Sequence, residues 1–347
     1  MVSTSASAGL LTREQALDLD RDGRLRYFKD IVVRHPKMEQ AVDDVMTLSA
    51  PSTGTDILLL IGPTGVGKSA STETVRRKYI ELYEEELRKD QGFIPFAMVV
   101  APASGEKKFS WRRLYMRLGE AVNEPLISRK MPGRAERRAH SVDDVMRRSG
   151  TVAGQQEAFE NALKNRRTRL VVIDEAAHIL ANCGEATLVD HMNALKSIAN
   201  VPGVTLMLVG SYDLYRLPML SGQLARRTAV IHLARYVSGD REDQECFRRA
   251  LRTLQNRLPL EPVPDLERYS KHLQVACVGC VGTLKDTLMR ALALTLEKGG
   301  KWKDEYLRKS LLPEGHVAAI LEETLKGERL LERTEYGRRS AEWPESA

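Results

Sequence analysis

The chain has 347 residues, 42% hydrophobic and 5% aromatic, with a formal net charge of +6. That length accommodates one α/β domain, a smaller domain and tails around a mainly aliphatic core. No apolar run reaches membrane-span length and no basic-then-apolar leader opens the chain, which predicts a soluble, cytoplasmic protein with no membrane partner.

Residues 1–30 read as a flexible N-terminal segment, small and polar at first and charged over Arg21–Lys29. Ile31 to Pro36 reads as a short extended piece stopped by proline, and Lys37–Leu48 carries a helical apolar stripe. Five consecutive aliphatics, Ile57–Ile61, predict a strand buried on both faces. It runs into Gly62-Pro63-Thr64-Gly65-Val66-Gly67-Lys68-Ser69, followed by a helical pattern from Ser69 to about Leu87. Phe93–Ala101 is a second strand whose start Pro95 pushes to an edge or outside the ladder, and Phe109–Val122 is helical. The stretch 128–150 holds seven basic residues against three acids and reads as a basic insertion or loop. Helices over Thr151–Asn165 and Glu185–Ala199 alternate with strand patterns over Arg169–Glu175, Val204–Gly210 and Ala229–Leu233. From Asp240 only helical patterns remain (240–257, 265–275, 281–296 and 314–325), before a polar tail at 332–347. The order predicts an α/β domain over 31–238, with a five-stranded parallel sheet and flanking helices, and a helical lid over 239–331. Cys183, Cys246, Cys277 and Cys280 are too scattered for a disulfide framework, and the single Cys277-Val-Gly-Cys280 reads as helix packing.

Gly62–Ser69 satisfies G-x-x-x-x-G-K-[ST] in the required strand–loop–helix order. Glycines let successive backbone N–H groups surround a phosphate at the positive end of the next helix. Residues 62–70, Ala70 included, therefore form a candidate ATP cradle. Lys68 serves the β- and γ-phosphates, and the Ser69 hydroxyl is a ligand for Mg²⁺. Four aliphatics deliver Asp174 and Glu175 to a strand end, Asp174 for the metal's hydration shell and Glu175 as the base that polarises water. Ser211 ends the next strand, where it suits a γ-phosphate sensor and a helix N-cap equally. Arg226 and Arg227 precede the fifth strand, and one of the two is assigned to a neighbouring subunit's nucleotide. Lys285, on the first turns of a lid helix, is a candidate second sensor.

In this order the phosphate loop, Asp174-Glu175, Val209-Gly-Ser211 and Gln223-Leu-Ala-Arg-Arg227 resemble an AAA+ ATPase. Val33-Arg-His-Pro36 and Asp174-Glu-Ala-Ala-His178 make the chain most similar to the TniB/TnsC transposition regulators, relatives of MuB, over about residues 25–300. Two positions depart from the common pattern: Ser211 where asparagine is frequent and Lys285 where arginine is. The resemblance implies an active site shared between subunits of a ring or helical filament on duplex DNA. It also implies partnership with a transposase and a target selector. On this resemblance Lys107, Lys108, Arg112 and Arg113, just past the second strand, face the oligomer channel. Charges there meet backbone phosphates without reading bases. The alternative is an AAA+ module that remodels polypeptide, which aromatic pore loops would favour; here only Phe109 and Trp111 flank the basic loop.

Overall fold

The computed structural model describes residues 11–103, 109–124, 151–181, 185–220 and 222–339. These form two compact units. The first comprises Glu39–Gly62 and the described residues of Lys68–Leu233; the second takes the described residues up to Met38, Pro63–Gly67, and those from Ala234 onward.

The first unit is built on a parallel sheet of β1 (Ile57–Ile61), β2 (Phe96–Val100), β3 (Leu170–Asp174), β4 (Thr205–Gly210) and β5 (Thr228–His232), in the order β2-β3-β4-β1-β5. All five expected strands are present. The three inner strands are buried at every position, which is why they read as unbroken aliphatic runs. Each fully buried aliphatic of β1 contributes about 1.5–3 kcal/mol of transfer free energy. The outer strands β2 and β5 are only partly buried. Pro95 lies just outside β2, and its carbonyl still accepts the N–H groups of Arg169 and Leu170 at 2.9 and 3.0 Å. Register aligns Ile61 with Gly210 and Val100 with Asp174, so every strand delivers its last residue to the same edge of the sheet. The helix after the phosphate loop is divided, Lys68–Leu82 then Glu84–Lys89, at Tyr83, whose ring meets Phe93 edge-on at 5.6 Å.

The second unit is helical. Its core joins Tyr27, Phe28 and Val33 to Phe247, Leu251, Leu284 and Leu288. Here the expectation of a flexible segment through residue 30 is corrected from residue 13 on. Arg13–Leu17 and Arg21–Asp30 are helices. Thr12 and Gln15 make a reciprocal capping box, Asp20 caps the second helix through Gly23 N–H, and Ala16, Tyr27 and Phe28 are buried. The boundary between units falls at Leu233/Ala234 rather than 238/239. The last helix, Glu314–Arg339, takes in the first eight residues of the expected tail, 332–339, and is tied down by an Arg235–Glu328 ion pair at 3.0 Å. Cys246, Cys277 and Cys280 are buried free thiols, as packing residues should be, and burial raises the Cys277 thiol to about 11. Cys183 and the stretch 128–150 lie outside the described residues.

His35, 3% exposed, accepts the Met38 N–H on Nδ1 at 3.3 Å, and the same atom lies 2.9 Å from the Tyr236 hydroxyl. An Nδ1 engaged as acceptor carries no proton. Burial, with help from Lys37, lowers the ring's pKa from 6.5 to about 4. A base whose folded pKa is depressed binds its proton more readily when unfolded, so stability is full above pH 6.5 and drains away as pH falls toward 4. That window corresponds to about 3 kcal/mol at 1.36 kcal/mol per pH unit. Urea unfolding across the window should show this slope in the wild type, and His35→Asn, which keeps an acceptor but does not titrate, should flatten it.

Candidate functional site

Within the sheet unit, β4 lies between β1 and β3, so Ser211 leaves the sheet between Gly62 and Asp174. Asp174 is buried and Glu175 exposed. The two carboxylates, adjacent in sequence, therefore sit in opposite environments.

Asp174 uses both oxygens. Oδ1 accepts the Glu175 N–H at 2.8 Å, and Oδ2 accepts the Ser69 hydroxyl at 3.0 Å. The Ser69–Asp174 separation matches that of adjacent oxygens around Mg²⁺, about 2.9 Å when ligands lie at about 2.05 Å in an octahedron. A hydroxyl and a carboxylate brought together from residues 105 positions apart are thus a donor set that fits Mg²⁺. Among the described residues no cluster of three or more His, Cys, Asp or Glu side chains offers another metal site.

Glu175 has φ +52°, left-handed for a residue with a full side chain. Such a conformation costs about 1–3 kcal/mol and persists only where its surroundings impose it. Here the neighbouring backbone does so: Ala176 N–H donates to Val209 O on β4 at 2.9 Å and His178 N–H returns to Glu175 O at 3.0 Å. The turn aims an exposed carboxylate off the end of the sheet instead of letting β3 continue. Lys68 Nζ donates to Gly62 O at 2.9 Å, which folds the ammonium back over its own loop. Ser211 occupies the N-cap position of the 3₁₀ turn Tyr212–Arg216, but its hydroxyl caps no backbone amide and donates to Asp213 at 3.3 Å.

Arg226 and Arg227 part company. Arg227 pairs with Asp56 through Nε and donates from Nη1 to Asn200 Oδ1 at 3.0 Å. Arg226 is exposed and its side chain has no partner among the described residues. Asp56 is the partner of Arg227 that sequence reasoning missed; its one signal was an acid immediately before an apolar strand.

Within the helical unit, Lys285 Nζ donates to Lys29 O at 2.5 Å and Ile31 O at 2.7 Å, where it caps the end of the helix Arg21–Asp30. Burial lowers its pKa. In the same unit Gly65 (φ +77°) accepts the Thr283 N–H at 3.0 Å. Arg112 and Arg113 are exposed on the first turn of the helix Trp111–Ala121, which carries no acid there. Phe109 and Trp111 turn inward: Trp111 Nε1 donates to His191 Nδ1 at 2.7 Å, and Phe109 meets the Trp111 ring edge-on at 5.4 Å. Lys107 and Lys108 lie outside the described residues.

Strand order, phosphate loop and the Ser69–Asp174–Glu175 arrangement define an AAA+ P-loop NTPase fold with a helical C-terminal region. Residues 52–217 match the family model described as the AAA domain. Two solved structures share the fold. One is the ORC2 protein of Aeropyrum pernix in ADPNP–ADP complexes, at 16% identity and TM-score 0.51 over 82% of this chain and 71% of that one. The other is Cdc6p from Pyrobaculum aerophilum, at 17% identity and TM-score 0.50 over 89% and 69%. No curated protein matches the sequence. Among the described residues no helix is long and apolar enough to cross a membrane.

Proposed function

We propose that the chain is an Mg²⁺-dependent ATPase that assembles into oligomers with shared active sites, binds duplex DNA without sequence preference, and regulates transposition. One observation carries the ATPase reading: Ser69 Oγ and Asp174 Oδ2 converge at 3.0 Å beside an exposed Glu175 in a strained turn. Bound Mg²⁺, held by Ser69 and Asp174, would supply charge neutralisation to the phosphates. Lys68 leaves its loop carbonyl to meet the β- and γ-phosphates, and Glu175 polarises water from the exposed side. The nucleotides named for the A. pernix ORC2 structure are consistent with ATP as the ligand.

Support for DNA is electrostatic. Arg112 and Arg113 sit at the positive end of a helix, where like charge costs about 0.3–1 kcal/mol each. A phosphate backbone offsets that cost. The aromatic flank that would favour polypeptide remodelling is committed elsewhere: Phe109 is 7% exposed and Trp111 is hydrogen-bonded to His191. The transposition role, with a transposase and a target selector as partners, rests on the motif resemblance.

The test is DNA affinity against salt concentration, with ATP and with ADP, for the wild type and for Lys107→Ala/Lys108→Ala. The expected result is ATP-dependent binding, weakened equally on all sequences in the variant, with a salt slope shallower by about 1–2. Equal affinities in all four conditions would transfer the assignment to polypeptide remodelling.

A further inference from the structure

The phosphate loop's tip and the lid helix Val281–Glu297 approach more closely than any side chain allows. A Cβ added to Gly282 would stand 2.4 Å from Gly65 O, and one added to Gly65 would stand 2.2 Å from Thr283 Oγ1. Cys280 occupies the N-cap position of this helix, and its side chain provides no cap. The first-turn amides of a helix have no partner within it. One of them, Thr283 N–H, donates to Gly65 O at 3.0 Å. A loop carbonyl thus does what a capping side chain usually does.

This bond has a consequence on the far side of the same peptide. In a trans peptide the C=O and the following N–H point in opposite directions. With the Gly65 carbonyl fixed on the helix, the Val66 N–H is turned into the loop. There, among the described residues, its one hydrogen bond is a long 3.4 Å contact to Pro63 O, and Val66 itself is 2% exposed. A phosphate oxygen, being charged, displaces a bond of that length readily. The helix start is itself anchored. Tyr236 N–H donates to Gly279 O at 3.0 Å, and Lys285 grips Lys29 O and Ile31 O one turn further on.

We propose that Gly282 and Thr283 are positioning residues for the nucleotide's phosphates: Thr283 N–H holds the Gly65–Val66 peptide with its amide facing the phosphate, and Gly282 leaves room for that contact. This rests on reading Gly62–Ser69 as the phosphate cradle. Helix propensity by itself would make Gly282→Ala stabilising, so a loss of nucleotide affinity there is opposite in sign to the local effect. Thr283→Pro removes the N–H at a position in the first turn that tolerates proline.

The experiment measures fluorescent ADP affinity and ATP turnover for the full chain carrying Gly282→Ala, Thr283→Pro, Thr283→Ala or Lys68→Ala. Gly282→Ala and Thr283→Pro should each weaken ADP binding by about tenfold or more and raise KM rather than lower kcat. Thr283→Ala, which keeps the N–H, should restore affinity to within about twofold of wild type, because only the backbone donor is at issue. Hydrogen exchange on the unmodified protein gives a readout independent of folding in the variants. The Thr283 amide should be protected with and without ADP, and the Val66 amide should become protected only with it. Wild-type affinity in Thr283→Pro, or loss of Thr283 protection when ADP binds, overturns the positioning role. Wild-type affinity in Lys68→Ala instead overturns the cradle reading beneath it.

Discussion

Glu175→Gln should bind ATP as the wild type does and hydrolyse it about 10²–10⁴-fold more slowly, the range expected for losing a general base. The substitution is nearly isosteric and leaves untouched the groups that hold nucleotide and metal. Asp174 keeps the Ser69 hydroxyl at 3.0 Å and the residue-175 amide at 2.8 Å, because the second contact is to backbone. The φ of +52° is imposed by Ala176 and His178 backbone bonds, so glutamine inherits the same aim. Only the basicity of one exposed oxygen changes. Equilibrium binding of a fluorescent ATP analogue, paired with steady-state phosphate release, separates the two effects. Turnover within about threefold of wild type would remove Glu175 from the catalytic role.

If active sites are shared between subunits, as proposed above, Arg226→Ala should cost about 10³–10⁵ in turnover, the loss that removal of a trans arginine brings. Arg227→Ala should primarily lower stability. Both residues were candidates on sequence. The structure commits Arg227 to Asp56 and Asn200 within its own subunit, whereas the exposed Arg226 guanidinium has no partner among the described residues. A guanidinium already holding a carboxylate would have to surrender that bond to reach a neighbour's γ-phosphate. Breaking the Arg227–Asp56 pair costs about 1–2 kcal/mol, discounted because both side chains are about a third exposed. The decisive assay mixes Arg226→Ala with Glu175→Gln subunits. Each is inactive alone, yet an Arg226→Ala subunit receiving its neighbour's arginine still has its own Glu175. Recovered turnover in the mixture, with specific activity rising with protein concentration, is the expected outcome. No recovery, together with concentration-independent activity, would mean that each subunit works alone.

Much of this was legible in the chain. Inner strands buried on both faces appear as aliphatic runs with no polar interruption, and each of Ile57–Ile61, Leu170–Asp174 and Thr205–Gly210 lies where such a run predicts. The loop was legible because glycine spacing and a following lysine encode backbone geometry directly. Other features depended on distant partners. Arg227 is bound to a residue 171 positions away, and Lys285 to carbonyls 254 and 256 positions away. Nothing local distinguishes a lysine that caps a helix end from one that faces solvent or ligand. The helices before residue 31 were obscured by their own composition. In Arg21–Asp30 only Gly23, Tyr27 and Phe28 are buried, too few to make a periodic stripe. Their caps at Thr12 and Asp20 were the signal available.

The interleaving of the two units bears on how the protein emerges from the ribosome. Residues 13–38 and the tip of the phosphate loop belong with partners that begin at Ala234. Tyr27, Phe28 and Val33 are therefore translated some 200 residues before Phe247, Leu251 and Leu284, against which they pack. The sheet unit, whose strands end at His232, can close while these side chains still await cover. A nascent chain stalled near residue 233 would thus present a finished sheet preceded by an apolar segment with nowhere to go, a ready substrate for a chaperone. A gene fragment ending there inherits the same exposure permanently, so the sheet unit is better expressed from residue 39 onward than from residue 1.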